Sequence, residues 1–123
     1  MTADQLRTIS DSGMEIGAHT VSHRDLSAMG TVSAYHEIAD SAMHLRITYH
    51  VPVVSLAYPS GHYRSTTPSI ARLARMRFAV TTHHGIANEK SSPLLLPRIR
   101  MSGRQSGPVL VKWLNRFLIH RTS

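Results

Sequence analysis

No cysteine occurs in the 123 residues, which excludes disulfide scaffolds, thiolate zinc sites, iron-sulfur ligation and cysteine nucleophiles together. Any bound metal must be held by nitrogen and oxygen. Aromatic residues are scarce, with one Trp, two Phe and four Tyr. No window approaches the roughly 18 to 20 apolar residues that a membrane helix requires, so no membrane span is expected. The opening residues lack the apolar core of a secretory signal, and the chain as written is expected to stay cytoplasmic. Acid is nearly absent from the back of the chain, where Glu89 alone follows Asp40.

What is present has the size of one ordinary domain, and 41% apolar content is enough for a modest core. The net charge of +7 conceals an asymmetry. Residues 1–40 carry six carboxylates and two arginines, a net of −4, whereas residues 41–123 carry twelve basic side chains against Glu89, a net of +11. Such a basic half attracts nucleic acid or an anionic polymer, or complements acidic surface elsewhere. Charge alone leaves these open, but nucleic acid ranks last: no helix-turn-helix or RNA-binding signature occurs and aromatics are few. Nine histidines make the surface charge sensitive to pH near 6.5.

Local signals alternate along the chain. Thr2 and Gln5 fit a capping box for a short helix to Ser12, which Gly13 terminates. Residues 14–18 read as a short strand. Tyr35, Ile38, Ala42, Leu45 and Tyr49 repeat at helical spacing up to Pro52, and residues 53–57 form a β-rich run of the kind buried in a parallel sheet. Residues 58–66 read as loop. Thr67 and Pro68 start a helix with Ile70, Leu73 and Ala74 on its buried edge. Residues 78–82 and 96–101 read as strands, and Pro108 opens a helix whose Trp113, Leu114, Phe117 and Leu118 share an apolar face. This order implies an α/β fold with a mainly parallel sheet, whose ligands collect in the loops after the strands.

The first of those loops carries His19 and His23. On one helical turn their imidazoles would share a face and a metal ion; from spacing alone they equally fit a solvated or capping pair. The surrounding run Gly17-Ala18-His19-Thr20-Val21-Ser22-His23 resembles the second motif of the polysaccharide deacetylase family (NodB homology, carbohydrate esterase 4). Leu56-Ala57-Tyr58-Pro59-Ser60-Gly61 is similar to its third motif in the branch with an Ala-Tyr-Pro form. Val80-Thr81-Thr82 and Leu96-Pro97-Arg98-Ile99-Arg100-Met101 resemble late segments of that branch.

The resemblance implies a partial deformed (β/α) barrel, with residues 1–106 as the C-terminal portion of a deacetylase domain and residues 107–123 as a terminal helix packed on it. It implies metal-assisted hydrolysis of N-acetyl, sometimes O-acetyl, groups on a carbohydrate polymer. A divalent ion, zinc in most relatives, activates the attacking water. His19 and His23 take the metal-ligand role, and Tyr58, Pro59 and Ser60 the substrate or oxyanion segment. The family's Asp-Asp motif lies well upstream of the histidines, and neither Asp4 nor Asp11 stands in such a context. The sequence therefore reads as lacking the first strands of the domain, with the catalytic base absent and the metal site one carboxylate short. Without the base the rate should fall by on the order of 10²-fold to 10⁴-fold.

Arg98 and His84, with His83 beside it, are the remaining candidates for catalytic groups. Leu118-Ile119-His120 matches the family's Leu-x-His only by letter. Ala57 replaces a common arginine, and Ser60 an aromatic that usually follows the proline. Relatives are often exported or attached to the cell envelope. The alternatives are a noncatalytic remnant that retains carbohydrate or metal binding, and a small basic nucleic-acid-binding protein. An incomplete sheet would also expose an edge open to self-association.

Overall fold

The computed structural model describes residues 1–119; His120 and the side chains of Phe117, Leu118 and Ile119 lie outside the described residues. Helix α1 (Ala3–Asp11) opens with the capping box in full, Gln5 N–H donating to Thr2 Oγ1 and Thr2 N–H to Gln5 Oε1. Helix α2 (Thr31–Thr48) follows a short 3₁₀ turn at Leu26–Ala28. Strand β1 (Ser55–Ala57), a second 3₁₀ turn at Pro59–Gly61, helix α3 (Thr67–Leu73), strand β2 (Phe78–His84), strand β3 (Leu96–Arg98) and helix α4 (Gly107–Ile119) complete the order.

The three strands form one parallel sheet in the order β1-β2-β3, with Leu56 opposite Ala79 and Val80 opposite Leu96. The α/β, parallel-sheet reading of the sequence holds. Because the strands are parallel, the residues after Ala18 and β1 and those ending β2 and β3 share the carboxyl end of the sheet. α2 packs against α3. Ala34, Ala39 and Ala42 on α2 and Ala71 on α3 are buried, and such small side chains let helix axes approach to about 8 Å. Ile38 and Leu56 fill the space between helices and sheet. Among the described residues no helix is long and apolar enough to cross a membrane.

Several local expectations are corrected. Residues 14–18 make a single parallel bridge, Ala18 to Leu56, because only Ala18 exchanges hydrogen bonds with β1, to Ser55 O and from Ala57 N–H. Strand β3 stops at Arg98, short of Met101, since the arginines beyond it find no ladder partner apart from the long Arg100 N–H contact to His84. β2 runs on to His84, so His83 and His84 end a strand and do not lie in the loop after it. The pairing of His84 with Arg98, across a register shift in β2, extends the strand. Leu73 is 72% exposed, and Ala71 takes its place on the buried edge of α3.

Candidate deacetylase site

The residues 19–23 do not form a helical turn. Thr20 (φ 68°) and His23 (φ 56°) are left-handed, and His23 N–H donates to Thr20 Oγ1 at 3.1 Å. This tight loop brings the imidazoles together edge to face, with ring centroids 4.7 Å apart. The backbone thus achieves by strain what the spacing alone would achieve by helix. Ser60 is left-handed too (φ 54°). Three of the five non-glycine residues with positive φ are therefore Thr20, His23 and Ser60, all in the two loops singled out by the motifs. Strain of this kind persists only where the surroundings over-determine it, and it concentrates at functional sites.

His19 Nδ1 lies 2.7 Å from Ala57 O. A carbonyl only accepts, so Nδ1 carries the proton and Nε2 presents its lone pair. Fixing a ring tautomer through a backbone carbonyl is how metal-ligating histidines are commonly oriented. Glu37 of α2 supports the loop from behind. Its Oε2 accepts from Val21 N–H (3.0 Å) and Ser22 N–H (2.9 Å), and its Oε1 from Ser22 Oγ–H (2.7 Å). Desolvation pushes this carboxyl up, but the Ser22 and Val21 hydrogen bonds and the Arg24 charge together bring it below its ordinary value.

A second clasp joins the two loops. Asp25 Oδ1 accepts from Ser27 Oγ–H and Ser27 N–H, and Asp25 Oδ2 lies 2.8 Å from His62 Nδ1. The Ser27 hydroxyl first and the His62 contact second hold the Asp25 carboxyl at about 2 instead of 3.8. A carboxyl whose folded pKa is depressed adds stability above its unfolded value and loses it as pH falls through the folded one. The stabilisation by Asp25 is accordingly expected to be complete above about pH 5 and to be lost as pH falls through about 2. The gap between the melting curves of wild type and Asp25→Asn should narrow steadily from about pH 5 to about pH 2; a constant gap between them would contradict this assignment.

The other residues singled out by the motifs divide sharply. Tyr58 is 1% exposed and its hydroxyl donates to Leu94 O at 2.8 Å, so its ring is part of the core and does not stack on a ligand. Burial pushes its phenol well above the ordinary value. Its amide is spent on Val80 O. Pro59 is buried and has no N–H, Gly61 N–H donates to Tyr58 O, and His62 N–H to Pro59 O. Any oxyanion role in this segment narrows to the Ser60 amide. Arg98 Nε–H donates to Thr81 O at 2.7 Å, tying β3 to β2. His84 stands edge to face against Trp113 of α4 at 4.8 Å and accepts from Arg100 N–H at 3.5 Å. His83 lies 3.5 Å from Tyr63 Oη.

Sequence reasoning overlooked Asp25, Glu37 and His62. Asp25 had a local signal, since an Asp two residues before a Ser is a capping pattern. Glu37 and His62 had none, because their partners lie 15 and 37 residues away.

The histidines supply two donors. Among the described residues no group of three His, Asp or Glu side chains is arranged to hold a metal ion. A catalytic zinc takes three protein ligands and a water, so the residues present do not complete such a site.

The sequence profile of the polysaccharide deacetylases matches residues 1–79. YxkH, a Bacillus subtilis protein whose name places it among the polysaccharide deacetylases, is 28% identical over 107 residues, 87% of this chain and 38% of that protein. The Streptococcus pyogenes deacetylase PplD, solved in complex with acetate, superposes with a TM-score of 0.85 at 33% identity, over 92% of this chain and 50% of that one. BC0361, a polysaccharide deacetylase from Bacillus cereus, shares the fold with a TM-score of 0.80 at 22% identity, over 93% of this chain and 36% of its own. The chain thus spans half or less of the length of these relatives. With the profile covering most of the chain and the histidine and Ala-Tyr-Pro loops meeting at the carboxyl end of a parallel sheet, this protein belongs to the polysaccharide deacetylase family.

Proposed function

We propose that the chain carries the histidine half of a metal-dependent carbohydrate deacetylase site, acting on N-acetyl or O-acetyl groups of a polysaccharide. The observation that carries this reading is the 2.7 Å contact of His19 Nδ1 to Ala57 O, which leaves Nε2 as the lone-pair donor, with the His23 ring 4.7 Å away. Two imidazoles suit zinc, as they suit other borderline divalent ions, and zinc is the ion we assign. The Ser60 amide is the donor for the developing oxyanion.

The third ligand and the general base are not among these residues, so the chain by itself is a binding surface with little or no turnover. The same incompleteness supports the second reading, a noncatalytic metal- or carbohydrate-binding protein.

Calorimetric titration with zinc tests the site. His19→Ala and His23→Ala should each weaken binding by on the order of 10-fold to 100-fold or more, the range seen when even outer partners of a metal site are removed. Acetate release from N-acetylglucosamine oligomers should stay at background in parallel assays. Unchanged zinc affinity in both variants would remove the metal reading, and robust, chelator-sensitive turnover would show the site to be complete.

A further inference from the structure

The carboxyl ends of β2 and β3 hold a cationic cavity that the deacetylase reading leaves unused. Thr82, Arg98, Ile99 and Arg100 line a hollow of about 240 Å³. Arg98 is anchored through Nε–H to Thr81 O, which leaves its terminal nitrogens as donors. Arg100 makes only a long backbone contact, N–H to His84 Nδ1 at 3.5 Å, and the residue is exposed. Neither guanidinium has a carboxylate partner among the described residues. The reason is already in the sequence, where Glu89 is the one acid after Asp40. Two arginines lining one hollow, without a carboxylate partner among the described residues, suit the planar oxygens of a carboxylate or phosphate, which guanidinium groups bind in bidentate fashion.

Position gives the cavity its meaning. Thr82 belongs both to it and to the oxyanion loop: Thr82 Oγ1–H donates to Ser60 O at 3.3 Å, and Gly61 packs so tightly on it that an added Cβ would lie 2.1 Å from that oxygen. The hollow therefore reaches Thr82, whose hydroxyl touches the Ser60 carbonyl. A single charged substituent with the adjoining part of its sugar fits such a volume.

We propose that this cavity is an anion subsite, taking a carboxylate or phosphate borne by the polymer next to the acetylated sugar. The inference rests on the carbohydrate reading above and deepens it by naming an acidic glycan as the substrate class.

The single tryptophan reports on the region, because Trp113 contacts the imidazole that accepts from Arg100 N–H. Its fluorescence, with calorimetry at low salt, would follow three probes: a tetrasaccharide alternating N-acetylglucosamine with glucuronic acid, the neutral N-acetylglucosamine tetramer, and a DNA oligomer of matching charge. The acidic tetrasaccharide should bind about tenfold or more tightly than the neutral one, as a charge-assisted fork contact implies. Arg100→Ala should abolish that preference, with affinity for the neutral tetramer unchanged, and Arg100→Lys should restore part of it. Free glucuronate and inorganic phosphate, used separately as competitors, tell the two anions apart.

Equal binding of acidic and neutral tetramers, a preference that survives Arg100→Ala, or DNA binding as tight as that of the acidic glycan would each overturn the inference. Neutral binding without any acidic preference overturns the anion subsite and leaves the carbohydrate reading standing. An acidic preference abolished by Arg100→Ala, without measurable neutral binding, supports the subsite and counts against recognition of the uncharged polymer.

Discussion

Replacing Tyr58 with alanine is expected to cost about 3 to 5 kcal/mol of folding stability, the range for truncating a buried aromatic. Tyr58 is among the largest fully buried side chains, so its removal leaves a cavity between sheet and helices and strands the Leu94 carbonyl it satisfies. Tyr58→Phe keeps the ring and orphans only that carbonyl, at about 1 to 2 kcal/mol. Since small domains are stable by only about 5 to 15 kcal/mol, the alanine variant should show a large drop in urea midpoint, with the phenylalanine variant between it and wild type. A stable Tyr58→Ala whose only defect is in sugar binding would return this side chain to a ligand-facing role.

Gly61→Ala is expected to be almost as damaging, for a different reason. At φ +74° the left-handed backbone costs an L-residue about 1 to 2 kcal/mol. The new Cβ would also lie 2.1 Å from Thr82 Oγ1 and 2.7 Å from Thr82 N. The hydroxyl can rotate away, but the backbone nitrogen of a sheet strand cannot, so β2 and the Ser60 turn must separate. The combined loss should reach on the order of 3 kcal/mol or more, in the range reserved for strain at special backbone positions. Gly13→Ala is the control: its φ is +92°, but nothing lies within 4 Å, so only the backbone penalty applies. Equal losses of stability at the two glycines would show that the packing on Thr82 is not what makes Gly61 necessary. If Gly61→Ala folds at low temperature, the displaced Ser60 should also weaken acidic-glycan binding at the Thr82 cavity.

The legibility of this chain follows the range of the interactions involved. The capping box of α1 is readable because Thr2 and Gln5 are three residues apart, and α2 because the spacing of Ile38 and Ala42 is a local helical pattern. The alternation of helical and β-rich runs is likewise sufficient for a parallel α/β sheet. Local patterns mislead where a distant partner decides the outcome. Residues 14–18 look like a strand, yet only Ala18 exchanges hydrogen bonds with β1. Residues 83–84 look like loop, yet the pairing of His84 with Arg98 draws them into β2. Leu73 has a buried-edge spacing, but α3 is rotated so that Ala71 faces the core.

By itself the sequence determined the family, the two imidazoles and the shortage of carboxylates, because motif order, residue type and charge need no coordinates. The tertiary structure alone decided how those groups are arranged. Ala57 O, thirty-eight residues from His19, selects the ring nitrogen that stays free, Glu37 braces the strained loop that brings His23 to it, and Asp25 ties the chain after it to His62. Burial moves Tyr58 from ligand platform to core, and the convergence of β2 and β3 sets Arg98 and Arg100 around one hollow beside Ser60. Each of these depends on through-space contact between segments far apart in the chain, which no local spacing encodes.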